Sequence, residues 1–108
     1  MSSNVWIKES PVAMVEGEVL PFTVLFEGAE SVSSPVSTVF KGGQDYSSEV
    51  QLSGDSDLAS GNVVSIKKIT AKPGDAGSHY IVNVQAVVDS VRTEIRKLKI
   101  NIVDEKSG

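Results

Sequence analysis

A regular alternation of apolar and polar residues from position 80 to position 89 constrains this chain more than any other feature. Its apolar members are Tyr80, Val82, Val84, Ala86 and Val88. A period of two residues is typical of a β-strand with one buried face. A large aromatic residue followed by small β-branched residues suits the space between two packed sheets, which lie about 10 Å apart. This stretch is therefore predicted to be a central strand of a β-sandwich.

Shorter alternations in the rest of the chain predict an all-β fold of seven or eight strands in two antiparallel sheets. The other predicted strands are 5–7 and 12–15, which Pro11 separates, then 19–26, 36–40, a weak edge strand at 46–52, 64–69, and a last strand that ends at Val103. In the last strand Leu98, Ile100 and Ile102 are predicted to face inward. Arg92, Arg96, Lys97 and Lys99 are predicted to form a solvated face.

Turn residues separate these strands. Pro73-Gly74 predicts a type II turn, because proline presets φ at the second position and glycine permits a positive φ at the third. Asp89-Ser90 predicts a hairpin tip, and residues 53–62, which are rich in Gly, Ser and Asp, predict an exposed loop.

The chain has 108 residues and no cysteine. This length predicts one domain, residues 1–108 with a core from about 5 to 103, because one core of this size buries roughly two thirds of the unfolded surface. No apolar run approaches the roughly 20 residues that span a bilayer, so membrane insertion is not expected. The N-terminus has neither a basic region nor an apolar run, so no signal peptide is expected on this chain.

Composition also argues against several kinds of chemistry. A net charge of -4 opposes binding to nucleic acid, which depends on a basic face. His79 is the single histidine, and we expect it at the surface, where no serine–histidine–acid set is indicated. No phosphate-binding loop or histidine metal motif occurs. We therefore expect no catalytic residues and no cofactor.

Two motifs resemble the intermediate-set immunoglobulin domains. The run Glu16-Gly17-Glu18 through Phe22 and Val24 to Gly28 resembles the second-strand signature, with Val24 at the cysteine position. Ile66, Asp75-Ala-Gly77, Tyr80 and Val82 resemble the later part of the family pattern, with Val82 at the second cysteine position.

The resemblance covers residues 11–103 and implies an immunoglobulin-like Greek-key sandwich without the inter-sheet disulfide. It implies a core built on Phe22, Val24, Ile66, Tyr80 and Val82, with Phe40 nearest to the position of the family's tryptophan. It also implies a Tyr80 hydroxyl bonded to the backbone of the preceding turn. Cysteine-free domains of this kind occur in bacterial surface proteins and bacteriophage particles, and the fold by itself implies no catalysis.

Four residues are candidates for binding. Asp55 and Asp57 lie in a Gly-flanked loop and offer carboxylate oxygens of the kind that Ca²⁺ prefers, although a solvated turn explains them as well. Trp6 either covers an open end of the core or anchors a partner. Tyr46 is either an edge residue or part of an aromatic platform for a partner or a sugar.

These observations favour a structural or protein-interaction module of a larger cell-surface or bacteriophage assembly. Its expected partners are proteins, including copies of itself, and its expected location is a virion or the outside of a cell. Contacts are expected at loops and exposed strand edges, chiefly at the split first strand and the weak strand 46–52. The alternative is a carbohydrate-binding or calcium-binding accessory module of a secreted multidomain protein.

Overall fold

The computed structural model describes the backbone of residues 4–6 and 11–104 and the side chains of residues 11–104. These residues form nine strands and one short helix: β1 (Asn4–Trp6), β2 (Val12–Val15), β3 (Val19–Leu25), β4 (Val32–Lys41), β5 (Gln44–Asp45), α1 (Ser47–Val50), β6 (Leu58–Ser60), β7 (Val63–Thr70), β8 (His79–Val88) and β9 (Arg92–Val103). Ile7 and the other residues of 7–10 lie outside the described residues. β1 and β2 correspond to the predicted split first strand.

The strands form two sheets. The larger sheet has the order β1-β9-β8-β4-β5, with β2 also paired to β9, and the smaller sheet has the order β3-β7-β6. β8 pairs with β9 along its whole length, from His79 opposite Asn101 to Val88 opposite Arg92. The prediction of an all-β sandwich of two sheets is confirmed.

The larger sheet is mixed rather than antiparallel. β1 and β2 both run parallel to β9, with Val12 opposite Ile100 and Val15 opposite Val103. Parallel neighbours need a long connection, and nearly the whole domain lies between β2 and β9. After β2 the chain turns at Gly17, whose amide bonds to the carbonyl of Ala71, and enters the smaller sheet.

The core lies between the inward faces of the two sheets. Strands of the larger sheet contribute Met14, Val39, Tyr80, Val82, Val84, Ala86, Val88, Leu98, Ile100 and Ile102. The smaller sheet contributes Val24, Val64, Ile66 and Ile69, and Phe26 follows β3 into the same space. Because side chains alternate along a strand, each sheet offers one apolar row to the other.

The predicted core position of Phe40 needs correction. Val39 is fully buried, whereas Phe40 is half-buried on the opposite face of β4. The register of β4 shifts between Ser33 and Val36, and Ser34 has a positive φ of 51°. This irregularity sets which residues of the strand face inward. Phe22 packs against the core but is only partly buried.

Residues 46–62 differ from their predicted structure. The expected edge strand 46–52 contains the four-residue helix α1, and only Gln51 forms an isolated bridge, to Ile69. The expected loop 53–62 contains β6, which pairs with β7. Within the described residues, no helix is long and apolar enough to cross a membrane.

Two predicted turns are confirmed. The Asp75 amide bonds to the carbonyl of Lys72 at 3.0 Å, and Gly74 between them has a φ of 100°, as a type II turn requires. At the tip of the β8–β9 hairpin, Asp89 and Ser90 both have positive φ. This conformation matches a type I′ turn, whose twist suits a tight hairpin.

The buried row of β8 gives the first testable prediction. We expect Val82→Asp to lower the free energy of unfolding by at least about 3 kcal/mol, because it buries a charge without a partner. Val36→Asp is the matched control, since Val36 is 51% exposed on the outer face of the same sheet. We expect it to change stability by at most about 1 kcal/mol in urea denaturation. Equal losses for the two variants would contradict the assigned inward face.

Candidate functional site

The Asp75 carboxylate organises the largest polar cluster in the described part of the chain. It is buried in the turn between β7 and β8. Its Oδ2 accepts hydrogen bonds from the hydroxyls of Tyr80 at 2.6 Å and Tyr46 at 3.0 Å, and its Oδ1 accepts one from Lys41 Nζ at 2.8 Å. The Tyr80 hydroxyl also accepts a bond from the Lys72 amide at 3.1 Å, so the expected link to the turn backbone is confirmed.

The electrostatics of this cluster fix its protonation. Burial by itself would raise the pKa of Asp75, but the hydrogen bonds from Lys41, Tyr80 and Tyr46 outweigh it and lower the pKa below its ordinary value of 3.8. Burial, together with the bond to Asp75, raises the pKa of Tyr80. The carboxylate therefore stays charged and the Tyr80 phenol stays neutral near pH 7. The hydrogen bonds of this pair hold the turn before β8 in place.

Tyr46 lies between this cluster and the surface. Its ring is half-buried, with its centroid 5.8 Å from that of Tyr80. The ammonium groups of Lys41 and Lys72 lie 5.0 Å and 5.6 Å from the Tyr46 ring centroid. Lys72 also pairs with Glu49 of α1 at 2.6 Å. Because its hydroxyl is bonded to Asp75 and its ring contacts neighbours, Tyr46 offers only part of its surface to a partner.

Asp57 joins the two sheets. Its carboxylate accepts bonds from the amide and the hydroxyl of Ser37 on β4, at 2.9 Å and 2.6 Å, and from the amide of Lys67 on β7 at 3.0 Å. Asp55 accepts a bond from the Lys68 amide at 3.0 Å, and this bond lowers the pKa of Asp55.

The proposed calcium ligands are thus used for other bonds. Asp55 and Asp57 accept amide hydrogens of β4 and β7, and no group of three or more His, Cys, Asp or Glu side chains able to hold a metal occurs in residues 11–104. A depression of about 330 Å³ beside α1 is lined by Ser47, Ser48, Gln51, Leu52, Ser53, Gly54, Asp55 and Lys67. Asp55 and Lys67 are its charged residues.

The segment 46–52, which the sequence predicted to be an exposed edge strand, instead contains α1 and, together with Asp57 and Gly61, covers the edge of β4. The Val39 amide bonds to Ser47 Oγ at 2.8 Å, and the Ser37 amide is bonded to Asp57. Further along β4, the Val32 amide bonds to the carbonyl of Gly61 at 2.8 Å. These bonds leave little of this edge for another strand.

Trp6 and His79, the two other positions singled out in the sequence, lie on β1 and at the start of β8. The Trp6 backbone lies opposite Lys97 in the pairing of β1 with β9, but the Trp6 side chain lies outside the described residues. His79 is exposed at the first position of β8. The structure therefore brings Tyr46 and Tyr80 together through Asp75 and leaves His79 apart from that cluster.

A charged pair that the sequence did not lead us to expect lies inside the sandwich. Glu94 and Arg96 lie on the inward face of β9, joined at 2.9 Å, and the Arg96 guanidinium lies 4.8 Å from the centroid of the Phe26 ring. Arg92 also pairs with Glu94. Arg96 was predicted to lie on the solvated face, which is wrong. Extending the alternation from Leu98 back to residues 96 and 94 would have placed both inward.

The Asp75 cluster gives a prediction about pH. We expect Asp75→Asn to cost about 2 kcal/mol at pH 7, because it removes a charge that Lys41 and two hydroxyls stabilise. The folded pKa of Asp75 lies below its unfolded value, so this stabilisation is complete above about pH 4 and disappears as the pH falls through the folded pKa. Urea denaturation from pH 7 to pH 2.5 should therefore show the gap between wild type and variant closing. A constant gap would contradict this assignment.

The Asp57 bonds give a third prediction. We expect Asp57→Ala to cost about 2 kcal/mol or more, because two backbone amides lose their acceptor. Asp55→Ala, which frees one amide at a more exposed position, should cost less. Thermal melts measure both losses. In these melts, millimolar Ca²⁺ should leave the Tm of the wild type unchanged. A Ca²⁺-dependent rise that Asp55→Asn abolishes would contradict the structural role of this loop.

Comparison with solved structures shows a likeness in fold. No family model matches the sequence, and no curated protein matches it significantly. The chain is similar to part of the crystal structure of a 2,6-sialyltransferase from Vibrionaceae Photobacterium sp. JT-ISH-224, solved with CMP and lactose. The TM-score is 0.52 at 11% identity, and the match covers 94% of this chain but 18% of the sialyltransferase. At this identity the likeness concerns the sandwich fold alone.

Proposed function

We propose that this chain is an immunoglobulin-like module without catalytic activity that acts by protein–protein contact within a larger surface or virion assembly. The immunoglobulin-like assignment is supported by the strand order and by the hydrogen bond from the Lys72 amide to the Tyr80 hydroxyl. It is also supported by the burial of Val24 and Val82, which occupy the two cysteine positions of the family pattern.

The single observation that carries this proposal is how the polar side chains are used. The carboxylates of Asp57 and Asp75 are committed to bonds that connect strands and turns. In contrast, large apolar side chains stand exposed on outer faces and loops: Val19, Leu25, Val36, Leu52, Leu58 and Val91. These exposed apolar side chains are the candidate contact points for a partner protein.

The aromatic residues do not favour the carbohydrate-binding alternative. Such a module needs aromatic rings on an open face, whereas Phe26 and Tyr80 are buried and the Tyr46 hydroxyl is bonded to Asp75. The sugar in the sialyltransferase crystals belongs to a protein of which this chain resembles less than a fifth.

Site-specific photo-crosslinking in the cells or particles that contain the protein tests the proposal. A photoreactive phenylalanine analogue replaces Leu25, Val36, Leu58 or Val91, one at a time, and the control position is Ser56, which is exposed and polar. We expect at least one apolar position to give a discrete adduct with one protein, and the control to give none. If no apolar position forms such an adduct, the chain does not act by protein contact through these surfaces.

A further inference from the structure

The outer edge of β3 carries backbone amides that bond to no group in the described part of the chain. β3 is the terminal strand of the smaller sheet, and its even-numbered residues bond to β7. Two flanking bonds show that the even-numbered residues are the ones that bond to β7: Phe26 N to Asn62 O and Ala71 N to Glu18 O, each 2.8 Å long. In an antiparallel pair the residues between them direct their N–H and C=O groups away from the partner. Thr23 and Leu25 therefore present open amides, and no described group accepts from them.

This edge contrasts with the edge of β4 on the other side of the sandwich. There, Asp57, Ser47 and the carbonyl of Gly61 each accept an amide hydrogen of β4. Among the described residues, β3 carries two of the features that usually protect an edge strand. Pro21 lacks an N–H, and the register against β7 shifts between Leu20 and Phe22. Both features lie in the first half of β3, so residues 22–25 form the open part.

The side chains around this open part set the chemistry of an added strand. β3 contains no charged residue, and Leu25 is 54% exposed on its outer face. Residues 11–40 contain Glu16, Glu18, Glu27 and Glu30 but no lysine or arginine. Glu18 and Glu27 flank β3 and are exposed. The nearest basic residues in the register, Lys67 and Lys68, lie on β7, where Lys68 pairs with Asp55.

We infer that residues 22–25 bind an extended segment of a partner protein, with apolar and β-branched residues at its centre and lysine or arginine at its ends. The segment adds a fourth strand beside β3, and its carbonyls accept from the Thr23 and Leu25 amides. Its basic ends meet the glutamates that flank β3. A second copy of this chain fits less well, because antiparallel pairing of two β3 edges brings glutamates of one copy towards those of the other. The inference rests on the proposed function and names its surface and partner class.

The test uses the full chain and two synthetic probes. One peptide has alternating valine and threonine with two lysines at each end, and its matched control has glutamates in place of the lysines. NMR titration and amide hydrogen exchange locate binding. We expect the lysine peptide to protect the Thr23 and Leu25 amides and to bind at least tenfold more tightly than the glutamate peptide. Added salt should weaken it.

Two variants and one control test the role of the edge itself. Thr23→Pro removes an outward amide without removing a bond to β7, and proline is tolerated on edge strands. Leu25→Lys keeps the backbone and adds a like charge at an exposed position, so it serves if the proline variant does not fold. Each variant should bind the lysine peptide at least tenfold more weakly than the wild type does. Val36→Lys, on the outer face of the other sheet, should leave binding unchanged.

Several outcomes would overturn the inference. These are absence of binding, protection at strands other than β3, equal binding of the two peptides, or self-association that protects Thr23 and Leu25. Crosslinks from Val36 or Val91, combined with no peptide binding at β3, would overturn this inference while leaving the proposed function intact. Absence of every crosslink would contradict the proposed function instead.

Discussion

The burial of one row of side chains on β8 is the constraint on which the rest of the structure depends. Its members, Tyr80, Val82, Val84, Ala86 and Val88, are at most 1% exposed. Because β8 lies between β4 and β9, both neighbours must turn their apolar sides to the same face, and the smaller sheet must cover it. Tyr80 brings a hydroxyl into this row, and a buried hydroxyl needs partners. Asp75 and the Lys72 amide supply these partners, so the buried Tyr80 hydroxyl holds the turn before β8 in place.

Carboxylates make several of the long-range connections of this cysteine-free chain. Asp57 ties β4 to β7, Asp75 ties Lys41 and two tyrosines to one turn, and Asp89 accepts the amides of Glu30 and Ser31 from the far side of the sequence. An ionised carboxylate is well suited to this task, because two oxygens can accept several hydrogen bonds at once and each is strengthened by the charge. These three aspartates therefore have a structural role in this fold.

The parts of the fold that depend on local pattern could be predicted from the sequence. The alternation in β8 and the turns at Pro73-Gly74 and Asp89-Ser90 are of this kind. The inward position of Arg96 could also have been read from the local alternation of β9. The other parts that failed depend on partners far along the chain. The inward side of β4 follows from an irregularity at Ser34 that places Val39, not Phe40, in the core. α1 is placed so that Ser47 Oγ accepts an amide hydrogen of β4. Asp57 accepts the amide hydrogen of Ser37, which lies twenty residues earlier in the chain. No local sequence pattern around Ser47 or Asp57 predicts either contact.

The two lateral sides of the sandwich are protected unequally, and this inequality limits how the chain can assemble. The smaller sheet ends in β3 on one side and in β6 on the other. β6 has three residues, and the carbonyl of Gly61 just after it bonds to Val32 of β4, which ties that side to the larger sheet. Head-to-tail edge pairing propagates into a fibre only when both edges of a sheet can accept a strand. β3 offers the open edge and β6 a short, tethered one, so the strand addition that we infer would occur on the β3 side of the smaller sheet. This arrangement suits the inferred binding of an extended partner segment along one side of the smaller sheet.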